Sequence, residues 1–189
     1  DGAVLDVADG AMPDKPLHIV HIATRPQAAA VTRSLLRIGN RARATLLESF
    51  VAADATQGYQ NHDAMVMWLG DGASLEHVRL VDDAHDAANI ASAIVTLGAD
   101  TRFNSYSMVT GAGVSRYQSF VRFAGEGAEA SINGVNLLRE RQHGDATLVL
   151  DHAVPHCASR EEFRSVVDDG AHSVFQGRIN VHPDAQKTD

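Results

Sequence analysis

Phe175-Gln176-Gly177-Arg178-Ile179-Asn180-Val181-His182 places an apolar or small residue at every odd position and a polar one at every even position. That period of two is a strand with one face buried and the other in water. Toward the N-terminus, Ala146, Leu148, Leu150 and Val154 share one parity with His152, and Tyr117, Val121 and Phe123 alternate with Gln118 and Arg122, so strands are expected there too. Gly39, Gly72, Gly98, Gly127, Gly144 and Gly170 are each expected to open a corner of small or polar residues, at gaps of 33, 26, 29, 17 and 26. A recurring corner implies a recurring turn of chain, and gaps mostly in the range of about 20 to 50 residues favour a β-solenoid, each coil burying its inner face on its neighbours. A β-sandwich is the rival architecture, since several short strands at regular spacing describe it equally. Two segments run against an all-β chain. Residues 27–38 and 84–97, the latter with Ala87, Ala88, Ala91 and Ala93, have a composition that predicts helices.

Composition narrows the function classes. The chain has 189 residues, 44% hydrophobic but only 5% aromatic, with 24 acidic against 16 basic side chains and a net charge of -8. Enough apolar material is present for a folded core, and the negative charge disfavours nonspecific adhesion to nucleic acid or to anionic membrane. No apolar run reaches the roughly 18 residues of a membrane span, and the first 20 residues lack the basic start and apolar stretch of a secretory signal. With Cys157 as its single cysteine, the chain can form no internal disulfide, no all-cysteine zinc site and no iron-sulfur cluster on its own thiolates alone. A reducing, cytoplasmic setting is the expectation. Because the sequence starts at Asp1 and stops at Lys187-Thr188-Asp189 without a compositional shift, residues 1–189 are read as one domain of a longer protein, truncated at both ends.

Few motifs carry chemistry. Gly125-Glu126-Gly127-Ala128-Glu129-Ala130 fits a relaxed dinucleotide fingerprint, but Ser131-Ile132-Asn133-Gly134-Val135 follows where a helix would have to continue, so a turn between strands is expected. No phosphate-binding loop and no nucleophile elbow occurs. His152, His156 and Cys157 have ligand types suited to zinc, copper or iron. Pro155 disfavours the helix that would put both histidines on one face, and His152 shares the parity of apolar neighbours. The expectation is therefore a core histidine bonded to backbone, a small buried thiol and no metal assignment. Asp82, Asp83, His85 and Asp86, like Asp168 and Asp169, are read as solvated turns rather than cation or acid-base sites.

The closing stretch, Val174 to Asp189, resembles the SufD-type members of the SufB/SufD family of iron-sulfur cluster assembly proteins. The resemblance is carried by Gly177, Pro183, Ala185, Gln186, Lys187, Thr188 and Asp189, a family signature expected to be structural. Segments earlier in the chain agree in order: Pro16-Leu17-His18-Ile19-Val20-His21-Ile22, the Gly39-x2-Ala42-x3-Leu46-x-Glu48 stretch, Gly111 to Arg116, and His152 followed by Cys157-x-Ser159. The likeness implies a right-handed parallel β-helix, and with it strands in place of the two alanine-containing helices. It also implies a scaffold and iron-handling subunit of a SufBCD-type complex, without catalysis of its own. SufB would be met through the β-helix and the SufC ATPase through a C-terminal region outside these 189 residues. Iron or a nascent cluster would be cargo at the interface of the full complex, with no cofactor held by this segment. The family's Cys-Ser-His segment beyond the Gln-Lys-Thr-Asp string has no counterpart here.

Two further readings come from other classes. A β-helical carbohydrate-active enzyme would need two carboxylates at a defined separation, for which Asp145 and Asp151 offer themselves. Six residues of extended chain hold them about 20 Å apart, too far for such a pair. A purely structural or adhesive solenoid would differ from the assembly scaffold in its partners alone.

Overall fold

A computed structural model describes residues 1–54, 56–186 and 188. The alternating segments become β1 (Val4–Val7), β2 (Leu17–Ala23), β3 (Ala29–Ile38), β4 (Arg43–Ala52), β5 (Gln60–Leu69), β6 (Ser74–Asp82) and β7 (Ala88–Leu97). They continue as β8 (Arg102–Val109), β9 (Val114–Phe123), β10 (Glu129–Leu138), β11 (His143–His152), β12 (Ala158–Val167) and β13 (His172–Val181). Among the described residues the one helical element is a 3-10 turn at Pro183–Ala185.

Odd-numbered strands form a seven-stranded sheet and even-numbered strands a six-stranded one, each strand bonded to the strand two places along the chain. The pairings are parallel, with Ala29 beside Gln60, 31 residues on, Gln60 beside Ala88, 28 on, and Ala88 beside Val114, 26 on. Two strands therefore make one coil, and about six coils stack into a parallel β-solenoid. The sandwich reading fails on this point, because its sheets are built from antiparallel neighbours. Residues 27–38 and 84–97 contain β3 and β7, which corrects the helix expectation. Alanine's helix preference is worth less than about 1 kcal/mol per residue. Here Ala91 and Ala93 are buried inward, and Ala91, in register with Asp63 and Tyr117, leaves room for the tyrosine ring.

The corner after each odd strand repeats one backbone device. Gly10, Arg41, Gly72, Asp100, Gly127 and His156 all have positive φ, between 53° and 74°, and stack in a column one per coil. Beside them Asp9 Oδ1 accepts the Asn40 amide (3.0 Å), Asn40 Oδ1 the Asp71 amide (2.9 Å) and Asp71 Oδ1 the Ala99 amide (2.9 Å). These side chains saturate backbone donors that the bend takes out of the sheet. Coils approach closely here: a Cβ on Gly125 would lie 2.1 Å from the Ala99 nitrogen. Gly39, Gly72, Gly98, Gly127 and Gly170 lie at corners, whereas Gly144 sits inside β11, so the short gap of 17 residues there is not a coil.

Inward residues along the even strands run apolar, polar, apolar. Leu46, Glu48 and Phe50 on β4, Leu75, then His77 and Arg79, then Val81 on β6, and Phe103, then Ser105 and Ser107, then Val109 on β8 follow this order. One apolar cluster gathers Leu36, Ile38, Met67, Leu69, Val95 and Leu97 with their neighbours; a second holds Phe50, Val81, Val109, Ala112, Leu138 and Ala171. A seam of buried polar groups separates them, and it places the candidate site.

Candidate functional site

Burying charge requires partners, and the seam supplies them. Arg79, fully enclosed, lies between the rings of Phe50 and Tyr117, 4.6 and 4.5 Å from their centroids. Its Nη2 donates to Asn89 Oδ1, and Asn89 Nδ2 donates to Asp83 Oδ2 (2.7 Å). Asp83 Oδ1 accepts from the Tyr59 hydroxyl (2.7 Å) and from Asn61 Nδ2 (3.0 Å). An amide relay thus joins the guanidinium to Asp83, while Arg79 Nη1 is buried without a hydrogen-bond partner. Burial, and in Tyr59 the bond to Asp83, pushes the Tyr59 and Tyr117 hydroxyls well above the ordinary phenol range, so both stay protonated.

On the other side of the seam stands Glu48, 2% exposed. His77 Nε2 donates to Glu48 Oε2 at 2.7 Å, and His77 Nδ1 meets Ser105 Oγ at 3.1 Å. Because a carboxylate only accepts, His77 Nε2 carries a proton. Burial alone would raise the Glu48 carboxyl, but the His77 bond and the charges of His77, Arg79 and His21 outweigh it and hold the group below its ordinary value. Asp63 is shifted the opposite way: burial raises it, the Thr32 hydroxyl on Oδ1 (2.5 Å) opposes, and the charge of Glu48 raises it further.

His21, on β2, stacks its ring on Phe50 (4.2 Å between centroids, 5° between planes) and aims Nε2 at Glu48 Oε1, 4.0 Å away. Both atoms are buried without a hydrogen-bond partner. One donor atom each from His21, Glu48 and Asp63 lie within 4.8 Å of one another, a set of one imidazole nitrogen and two carboxylate oxygens. Among the described residues this is the one such group of three or more His, Cys, Asp or Glu side chains. Sequence reasoning did not assemble it, because its members come from three strands: Glu48 lies one coil beyond His21, and Asp63 lies across a corner on the other sheet. The available signal was parity: His21 follows Leu17 and Ile19, and Glu48 lies between Leu46 and Phe50, on the apolar side of their strands.

The residues singled out in the sequence lie elsewhere. His152 is buried and stacked on Phe123 (4.2 Å), and its Nδ1 partner is the Thr188 hydroxyl (2.9 Å), not the backbone that the sequence suggested. Burial lowers its pKa against the opposing pull of Glu161 and Asp151. His156 is exposed at the corner with φ 61°. Cys157 is buried, its Sγ 3.4 Å from the Gly125 carbonyl, and burial raises its thiol pKa. Asp82, His85 and Asp86 are exposed, but Asp83 turns inward as the hub described above, which corrects the reading of that stretch as solvated throughout. Asp168 and Asp169 cap the last turn, accepting from the amides of Asp169 and Glu140. Asp145 and Asp151 point outward on β11, beside Arg116 (3.8 Å) and Arg122 (3.9 Å), and so form no carboxylate pair. Of the closing signature, Gly177 lies on β13, Pro183 and Ala185 form the 3-10 turn with Ala185 fully buried, Gln186 is exposed, and Thr188 also donates to the Cys157 carbonyl (3.1 Å). Lys187 and Asp189 lie outside the described residues.

Comparison with known proteins adds the family. A family model described as SUF system FeS cluster assembly, SufBD core domain, matches residues 21–189. An iron-sulfur cluster assembly SufBD family protein of Synechocystis is 26% identical over an alignment of 199 residues, covering 100% of this chain and 44% of the relative. The iron-sulfur cluster assembly protein SufD of Escherichia coli is 27% identical over 187 residues, covering 97% and 44%. A SufBD family protein of Mycobacterium leprae is 30% identical over 124 residues, covering 62% and 32%. The chain therefore spans less than half the length of these relatives. With a stacked parallel coil from β1 to β13 and a family match over nearly all of it, the chain belongs to the SufBD core family of iron-sulfur cluster assembly proteins.

Proposed function

We propose that this chain is the solenoid of a non-catalytic scaffold subunit that works, with SufB and the SufC ATPase, in a cytoplasmic SufBCD-type complex building iron-sulfur clusters. The observation that carries the reading is the stack itself: about six parallel coils run from β1 to β13, and the SufBD core match spans residues 21–189. Coils that each pack on their neighbours make a stiff, extended surface suited to holding other subunits. We assign SufB to the β-helix and SufC to a region outside these residues. The buried thiol also favours a supporting role over sulfur chemistry on this chain. Iron and sulfur are then cargo handled where subunits meet.

The test is reconstitution. Full-length protein mixed with SufB and SufC under reducing conditions and moderate salt is expected to elute from gel filtration as one complex; separate elution of this subunit overturns the reading. Glycosidase activity on polysaccharides is expected to be nil.

A further inference from the structure

We propose that His21, Glu48 and Asp63 form a binding site for one divalent transition-metal ion inside the first coils of the solenoid. Convergence comes first: one imidazole nitrogen of His21 and carboxylate oxygens of Glu48 and Asp63 lie within 4.8 Å of one another although they come from three strands, β2, β4 and β5, in both sheets. The second observation is independent. His21 Nε2 and Glu48 Oε1 face each other at 4.0 Å, both buried and both unpartnered, beside a hydrogen-bonded Glu48 Oε2 and His77; Arg79 Nη1, a donor that cannot ligate a cation, is buried without a partner as well. Lone pairs are seldom left idle in an interior, and a shared cation would satisfy them together. A tetrahedral shell with bonds of 2.0–2.2 Å needs donors about 3.4 Å apart, so a small closing rotation of the side chains seats these three and leaves the fourth position to water.

The surroundings hold the donors as outer groups hold metal ligands. Glu48 is fixed through its other oxygen by His77, which Ser105 steadies. Thr32 fixes Asp63, and the Phe50 ring clamps the His21 ring. Glu48 and Asp63 bring two carboxylates to the site; the charge of Arg79 reaches both, but its hydrogen bond goes to Asn89 and so leaves their oxygens open. One nitrogen with two oxygens suits borderline dications such as Fe2+, Co2+ or Zn2+, and the lack of sulfur among the three argues against Cu+. Access lies on the His21 side, where the imidazole side chain keeps 14% of its surface against 3% for Glu48. The choice of iron(II) as the working ion rests on the assembly reading; the site itself does not.

The tag-free full-length protein, freed of metal by chelation, is titrated anaerobically with Co2+ and followed by visible absorption, then with Fe2+ by calorimetry. One equivalent is expected to bind with ligand-field bands, and His21→Gln and Asp63→Asn are expected to weaken binding at least tenfold while keeping the β circular-dichroism spectrum. Glu48→Gln should do the same where it folds, and His21→Gln, at the more exposed position, decides if it does not. His152→Gln, remote from the site, should bind as the wild type does. Absence of bands and heat in the folded wild type, or binding by both His21→Gln and Asp63→Asn within twofold of wild type, overturns the site. Gel filtration with SufB reads the other proposal separately, since a chain that takes cobalt but ignores SufB loses its assembly role and keeps its metal.

Discussion

At the scale of single residues, the interior holds polar and charged side chains among the apolar ones. His152 shows the thermodynamic consequence. Because burial disfavours its charged form, the folded protein binds a proton at this ring less readily than the unfolded chain, whose imidazole titrates near 6.5. The stability it contributes is therefore present above that value and is lost as the pH falls below it, where the unfolded chain takes up the proton first. Urea unfolding followed between pH 7.5 and 5 should show the midpoint falling with pH, with a shallower slope in His152→Gln; equal slopes would sink this account. The histidine's inward parity was legible in the sequence, while its bond to Thr188, 36 residues away, was not. The same holds for the seam as a whole. Parity marks Glu48, His77 and Arg79 as inward, but which acid meets which base depends on register between coils, and no local pattern encodes that.

At the scale of elements, strands were readable where apolar and polar residues alternate, as in β13, and misread where alanine fills both parities, as in β3 and β7. A pleated surface accepts alanine when a large neighbour, here Tyr117, takes up the space. Corners were readable as glycine-rich but not by their spacing, since Gly144 belongs to a strand and Arg41, Asp100 and His156 hold the left-handed bend without glycine. The corners divide into two kinds. Gly10 has φ +70° with no atom within 4 Å of a would-be Cβ, so Gly10→Ala should cost only the left-handed backbone penalty, about 1 kcal/mol. At Gly125 a Cβ meets the Ala99 backbone at 2.1 Å and the coils must separate, so Gly125→Ala should cost about 3 kcal/mol. Chemical denaturation of the two variants side by side checks the order, and equal losses would refute the close-packed corner.

For the whole molecule, each coil packs on the coil before and after it, so stability accumulates by neighbours. Ile179 on β13 is in register with the fully buried Leu150 on β11 and so stands on the inward side of its coil. Ile179→Lys in the full-length protein is therefore expected to lower the thermal melting temperature by several degrees, followed by circular dichroism. Melting within about a degree of wild type would refute the inward placement. Coil length carries a further consequence. Ala88 and Val114 are 26 residues apart and Ala29 and Gln60 are 31, yet the strands that hold them stay in step. All surplus is absorbed where the backbone bends. Genes of this lineage can gain or lose codons at the bends one at a time, whereas a single codon added within a strand would turn inside to outside for every side chain up to the next bend.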